Sequence, residues 1–318
     1  MYYIERIPLT DANFLAGGIG SPSFRETPWA PGVWPVGAEV VRPALRRVFK
    51  CAVARTASDI QPPEVDKTSW AEMRFCDRWV TFGPLGRVDG KMVYESHALE
   101  LTTADIDLRL KLRYCNAIGL FGMRGASWFV EVYDQPGGVL KKELTGTVKA
   151  PARGYWDLAY GQRRYRDRVL IRDLPIFPQA EVRIRVTANA GQLRRLTQVE
   201  VGKLRFIPGV DWGGTDYGLV RTPRAFSFRE DEDDGSSTTL LYGTTDDMSG
   251  RVHITGRQED QALVQLRGLL GKGTAFTPTL DPGYEQSLVF GTLESAPTTR
   301  SSATRSSFDF QIRGLPTS

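Results

Sequence analysis

The chain has 318 residues, with 41 Lys and Arg against 37 Asp and Glu. A net charge of +4 spread over that length does not force a nucleic-acid or membrane partner. Hydrophobic residues at 41% and aromatics at 10% supply a sizeable core and exclude wholesale disorder.

No apolar run reaches the ~18 residues of a membrane span. The start, Met1-Tyr-Tyr-Ile-Glu-Arg-Ile-Pro8, carries no apolar stretch of a secretory leader. Cys51, Cys76 and Cys115 are odd in number and irregular in spacing, which implies no disulfide framework and fits synthesis in a reducing cytosol.

Residues 1–85 are rich in proline and hold Trp29, Trp34, Trp70 and Trp79. Val48 to Ala54 is their only clear strand-like run. They read as an extended arm over 1–46 followed by a very small β module, with indoles supplying packing area.

Residues 86–210 read as an antiparallel β-sandwich of jelly-roll type. Ile106, Leu108, Leu110 and Leu112 alternate with Asp105, Asp107, Arg109 and Lys111, the period-two pattern of a half-buried strand. Ser127 to Asp134 is a second strand, and Asp134-Gln-Pro-Gly-Gly138 turns it into a partner over Val139 to Val148. Arg168 to Leu174, Ala180 to Thr187 and Gln198 to Ile207 follow. In the second of these Val182, Ile184 and Val186 face in, and Glu181, Arg183 and Arg185 face out.

Residues 211–318 read as a small α+β domain. Phe226 to Arg229 and Thr238 to Tyr242 flank the acidic run Glu230 to Asp234 as a hairpin with a charged tip. Met248 to Thr255 is a strand. Ala262, Leu263, Leu266, Leu269 and Leu270 fall on one face of an amphipathic helix, with Thr255 and Gln258 at capping-box spacing and Gly271 and Gly273 beyond its end. Strands over Ser287 to Leu293 and Ser306 to Arg313 finish the chain.

No catalytic constellation is local to the sequence. There is no Gly-x-Ser-x-Gly elbow, and His97 and His253 have no nucleophile or orienting group beside them in sequence. Gly268-Leu-Leu-Gly-Lys-Gly273 ends a helix, whereas a phosphate loop precedes one. The acidic run lacks the spaced ligands of a calcium loop and reads as a solvated hairpin tip. No cofactor and no metal are expected. The basic stretch Arg163-Arg-Tyr-Arg-Asp-Arg168 suits a protein interface better than nucleic acid. Tyr155, Trp156 and Tyr160, in a Gly-rich connector, are candidates for contact with a glycan or a partner.

The order of the pieces is similar to that of a known family. Ile7-Pro-Leu-Thr-Asp-Ala-Asn-Phe14 leads into a Trp/Pro/Gly stretch, then Arg47-Val-Phe-Lys50 and Arg78-Trp-Val-Thr-Phe82. Glu131-Val-Tyr-Asp-Gln-Pro-Gly-Gly-Val139, Asp173-Leu-Pro, Ala180-Glu-Val-Arg-Ile-Arg-Val186, Gln261-Ala-Leu-Val-Gln-Leu266 and Phe310-Gln-Ile-Arg-Gly-Leu315 follow. This order resembles tail-tip or baseplate proteins of long-tailed bacteriophages, often labelled carbohydrate-binding tail proteins. The resemblance implies a structural protein of the virion, assembled in the bacterial cytoplasm in symmetric multiple copies. Its implied partners are hub, distal tail or tube, and fibre proteins, with no nucleic acid and no membrane insertion. It transfers no catalytic residues. Trp29, Trp34, Arg163, Arg164 and Arg166 are the expected assembly contacts. The alternative is a module that binds host surface glycan through Tyr155, Trp156 and Tyr160; a polysaccharide hydrolase or lyase has no local signature.

Overall fold

In a computed structural model of the chain, the structure is described for residues 1–19, 26–56, 61–82, 87–88, 91–92, 98–150, 154–161, 165–207, 215, 218–231, 237–281, 284, 287–300, 302 and 304–316. For 87–88, 91–92, 157–158, 227–231 and 237–243 the description is of the backbone alone. In chain order, β1 (Tyr2–Arg6) precedes a small module of β2 (Thr27–Pro28), β3 (Glu39–Arg42), β4 (Arg47–Cys51) and β5 (Trp70–Phe75). Three short strands follow: β6 (Arg87–Val88), β7 (Lys91–Met92) and β8 (Leu99–Leu101). Next come β9 (Ile106–Leu112), β10 (Ala117–Phe121), β11 (Ser127–Tyr133), β12 (Leu140–Thr147), helix α1 (Tyr155–Tyr160), β13 (Arg168–Ile171), β14 (Ala180–Thr187), β15 (Arg194–Leu196) and β16 (Gln198–Phe206). The last third holds β17 (Val220–Asp231), β18 (Ser237–Thr255), helix α2 (Glu259–Leu269), β19 (Gly273–Thr277), β20 (Val289–Ser295), β21 (Thr298–Arg300) and β22 (Arg305–Gly314). The fold is mainly β, as the sequence predicts.

Alternation places the sandwich core. Ile106, Leu108, Leu110 and Leu112 of β9 are fully buried, and the residues between them are half-buried. β9 belongs to a four-stranded antiparallel sheet in the order β12-β11-β14-β9. The apolar face of that sheet packs on Ile118, Leu120, Ile171, Val199 and Val201 of β10, β13 and β16. Its other face is laced by charges across the strands. Arg183 grips Asp107 with bonds of 2.9 and 2.7 Å, Arg185 pairs with Glu131, and the Tyr133 hydroxyl donates to Glu131 at 2.7 Å. Such pairs each contribute a fraction of a kcal/mol, about 0.2–1, so burial on the other face dominates. The outer edge of β9 is covered by residues 14–19: Leu15 and Ile19 donate backbone bonds to Arg109 and Asp107. Gly18 is required there, since a Cβ would stand 2.9 Å from the Arg109 nitrogen.

The start of the chain departs from expectation. Residues 2–6 are no part of a free arm. β1 pairs with β16 on one side, Ile4 opposite Leu204, and with β19 on the other, Tyr3 opposite Phe276. One sheet of ten strands among the described residues therefore runs β13-β10-β16-β1-β19-β20-β22-β18-β17, with β21 attached to β22, and joins all three expected segments. A strand buried on both faces shows no alternation, which hid β1 from the period-two reading. The small module also has more strands than Val48 to Ala54 implied. Val40 and Phe49 face a minor core with Cys51 and Trp70, while Val41, Val48 and Phe75 reach the main core. Consecutive residues serving two cores again erase the alternation.

Helix α2 lays Ala262, Leu266 and Leu269 on a second core with Phe276, Leu293, Phe308 and Ile312. The Thr255 and Gln258 capping box forms in the turn before it, and Gly271 at φ +68° follows its end. The Gly-Lys run thus ends a helix, as expected. No described helix is long and apolar enough to cross a membrane. All three cysteines are free and buried. Burial pushes the Cys76 thiol up to about 12 and the Cys115 thiol up to about 11, which leaves them protonated and unreactive.

Candidate docking site

The connection from β12 to β13 carries the exposed aromatics. Past Thr147 the chain pairs once more, Lys149 bridging Tyr165, and the Arg166 amide donates to the Val148 carbonyl at 2.7 Å. Between those points the chain makes an excursion bearing α1. Tyr155, Trp156 and Tyr160 are 74%, 72% and 79% exposed. Trp156 and Tyr160, one helical turn apart, stack at 5.5 Å with their planes 27° apart, and Tyr155 meets Trp156 edge-on at 5.7 Å. The structure thus gathers the three sequence candidates into one cluster of rings. A six-residue helix is too short to be stable by itself, and its described side chains lie on no core.

A cleft of about 550 Å³ opens beside the point where β12 and β13 part. Thr145, Gly146 and Thr147 form one wall; Arg166, Arg168, Leu170 and Arg172 form another; Thr279, Asp281 and Tyr284 close the third. Trp128 reaches its inner end across Gly146, where a Cβ would come within 2.6 Å of the indole. Arg168 is part of the framework, donating to Asp246 at 3.0 Å and to the Leu288 carbonyl at 3.1 Å. Arg172 is exposed, with Asp173 at 3.7 Å, and exposed Arg166 has no acidic partner among the described residues. Asp246 and Asp167 offset Arg168, so the positive charge the cleft offers comes from exposed Arg166 and from Arg172, which Asp173 meets only at 3.7 Å.

The other predicted residues have different surroundings. Trp29 and Trp34 pack partly buried on the minor core of their own chain. Arg42 lies over the Trp29 ring at 4.8 Å, and the Trp34 indole donates to the Ala30 carbonyl at 3.0 Å. Arg163, Arg164, His97 and Glu232 to Asp234 lie outside the described residues. His253 is exposed on β18 near Asp309. No group of three or more metal-ligating side chains occurs among the described residues. Sequence reasoning missed the cleft's third wall. Its signal in sequence was Asp281-Pro-Gly-Tyr284, turn-forming residue types beside a tyrosine.

No protein-family model and no curated protein matches this sequence.

Proposed function

We propose that the chain is a non-enzymatic structural component of a bacteriophage tail tip or baseplate. It docks neighbouring tail proteins in the virion and positions receptor-binding parts for host attachment. The observation that carries this reading is the cluster of Tyr155, Trp156 and Tyr160, about three-quarters in solvent on a helix whose described side chains lie on no core. Large exposed rings of this kind are the anchors of protein interfaces, and they gain several kcal/mol, about 2–4, when a partner's pocket desolvates them. The β-rich scaffold supplies a rigid mount.

The test is assembly. Tail tips reconstituted from the purified chain and its neighbouring tail proteins are expected to lose this chain when Trp156 and Tyr160 are both replaced by Ala. Normal incorporation of that double variant would overturn the docking role. A second reading has its own support: the near-parallel Trp156 and Tyr160 rings offer a flat apolar face of the kind that stacks on a pyranose. Quenching of tryptophan fluorescence by host-type polysaccharide, lost in the same variant, would favour it.

A further inference from the structure

The ten-stranded sheet has two terminal strands, β13 at one end and β17 at the other. Among the described residues β13 is paired only with β10, and β17 only with β18. The cleft runs along the outer edge of β13. Consecutive residues Arg168, Val169 and Leu170 all line it, whereas a cleft over one face would meet every second residue. The same holds for Thr145, Gly146 and Thr147 of β12. The cleft therefore presents strand edges whose outer backbone groups are unpaired among the described residues, framed by the exposed guanidinium groups of Arg166 and Arg172. The distal end of β17 carries the complementary charge: Glu230 and Asp231 end the strand, and Glu232, Asp233 and Asp234 follow in sequence.

We infer that the occupant of this edge is β17 of a second copy of the chain. Its distal, acidic end adds as a strand beside β13, with Arg166 and Arg172 meeting its carboxylates. The donor and acceptor edges are different surfaces, so the contact is heterologous and repeats from copy to copy, continuing one sheet through successive subunits. This deepens the docking reading and rests on it, but it concerns contact between copies, whereas the aromatic cluster serves other proteins.

Sedimentation velocity of the purified full chain tests it. Self-association is expected to rise with concentration and fall with salt, and Arg166→Glu with Arg172→Glu is expected to weaken it by at least about tenfold. Both arginines are exposed, and near-native melting of that variant keeps the loss attributable to the contact. A labelled peptide of residues 226–237 is expected to bind the chain and block association. The same peptide with alternate backbone amides methylated keeps every charge and is expected to lose at least about tenfold in affinity, because it cannot pair as a strand. A chain that stays monomeric and ignores the peptide overturns the inference. So does equal binding of the methylated peptide, or its displacement by oligogalacturonate with no self-association, which would assign the cleft to acidic polysaccharide. If association fails while Trp156 and Tyr160 still govern incorporation into tail tips, this contact alone falls and the docking role stands.

Discussion

Glu200 sits in β16 without exposure to water. Gln198 donates to it at 2.8 Å, Arg6 stands 3.5 Å away, and its second oxygen has no partner among the described residues. Burial outweighs the help from Arg6 and holds its carboxyl above the usual carboxylate range. The folded state therefore keeps this proton more tightly than the unfolded chain does. The stability it contributes is fully present below about pH 4.3 and is lost as pH rises through the raised folded value. Glu200→Gln cannot titrate. Urea unfolding at about pH 5 and about pH 8 is expected to show wild type losing more stability than the variant across that span. Equal slopes would mean the carboxyl is solvated. Gly146 gives a second residue-scale prediction. Gly146→Ala forces the Trp128 indole to move, at an expected cost of about 1–3 kcal/mol, read by thermal melting together with a shifted tryptophan emission. By contrast, Trp156→Ala with Tyr160→Ala removes rings that touch no core and is expected to leave stability within about 0.5 kcal/mol. A large loss of melting temperature there would place those rings inside the fold.

β1 shows what an element can hide. Only five residues long, it lies between strands far along the chain, and its burial serves two cores: Tyr3 faces one and Ile4 another. Ile4→Ala is expected to cost about 2–5 kcal/mol and to speed amide exchange in both β16 and β19, measured by mass spectrometry. Exchange that rises in only one neighbour would contradict the shared register. Elements with one wet face were legible: β9 alternates throughout and β14 from Val182 onward, β11 stands out by its aromatic and β-branched residues although Glu131 is buried with its neighbours, and α2 repeats at helical spacing with its cap and its terminating glycine in sequence. β1, β3 and β5 were not, because their pairing and two-sided burial come from partners that no local pattern encodes. The candidate site divides the same way. Tyr155, Trp156, Tyr160 and Arg166 were visible as residue types, whereas the cleft depends on Thr145 to Thr147 and Tyr284 being brought together from distant segments.

For the molecule as a whole, the continuous sheet sets the cooperativity. Strands from the first, middle and last thirds share one hydrogen-bonded ladder, so opening β1 unseats strands of both the sandwich and the last third. Exchange protection of β9 and of α2 is expected to vanish at one denaturant midpoint. Two separated midpoints would show that the halves are independent and that β1 couples them weakly.

The place of β1 also fixes a timetable for synthesis. Ile4 and Thr274 are 270 positions apart, yet the Thr274 hydroxyl donates to the Ile4 carbonyl. At about 5–20 residues per second, a ribosome leaves the Tyr-Tyr-Ile stretch waiting roughly 13–54 s for its last neighbour to emerge. Until β16 emerges the nascent polypeptide displays an unpaired apolar strand, and until β19 follows one edge of it stays open, so shielding by a holding chaperone is expected to raise yield.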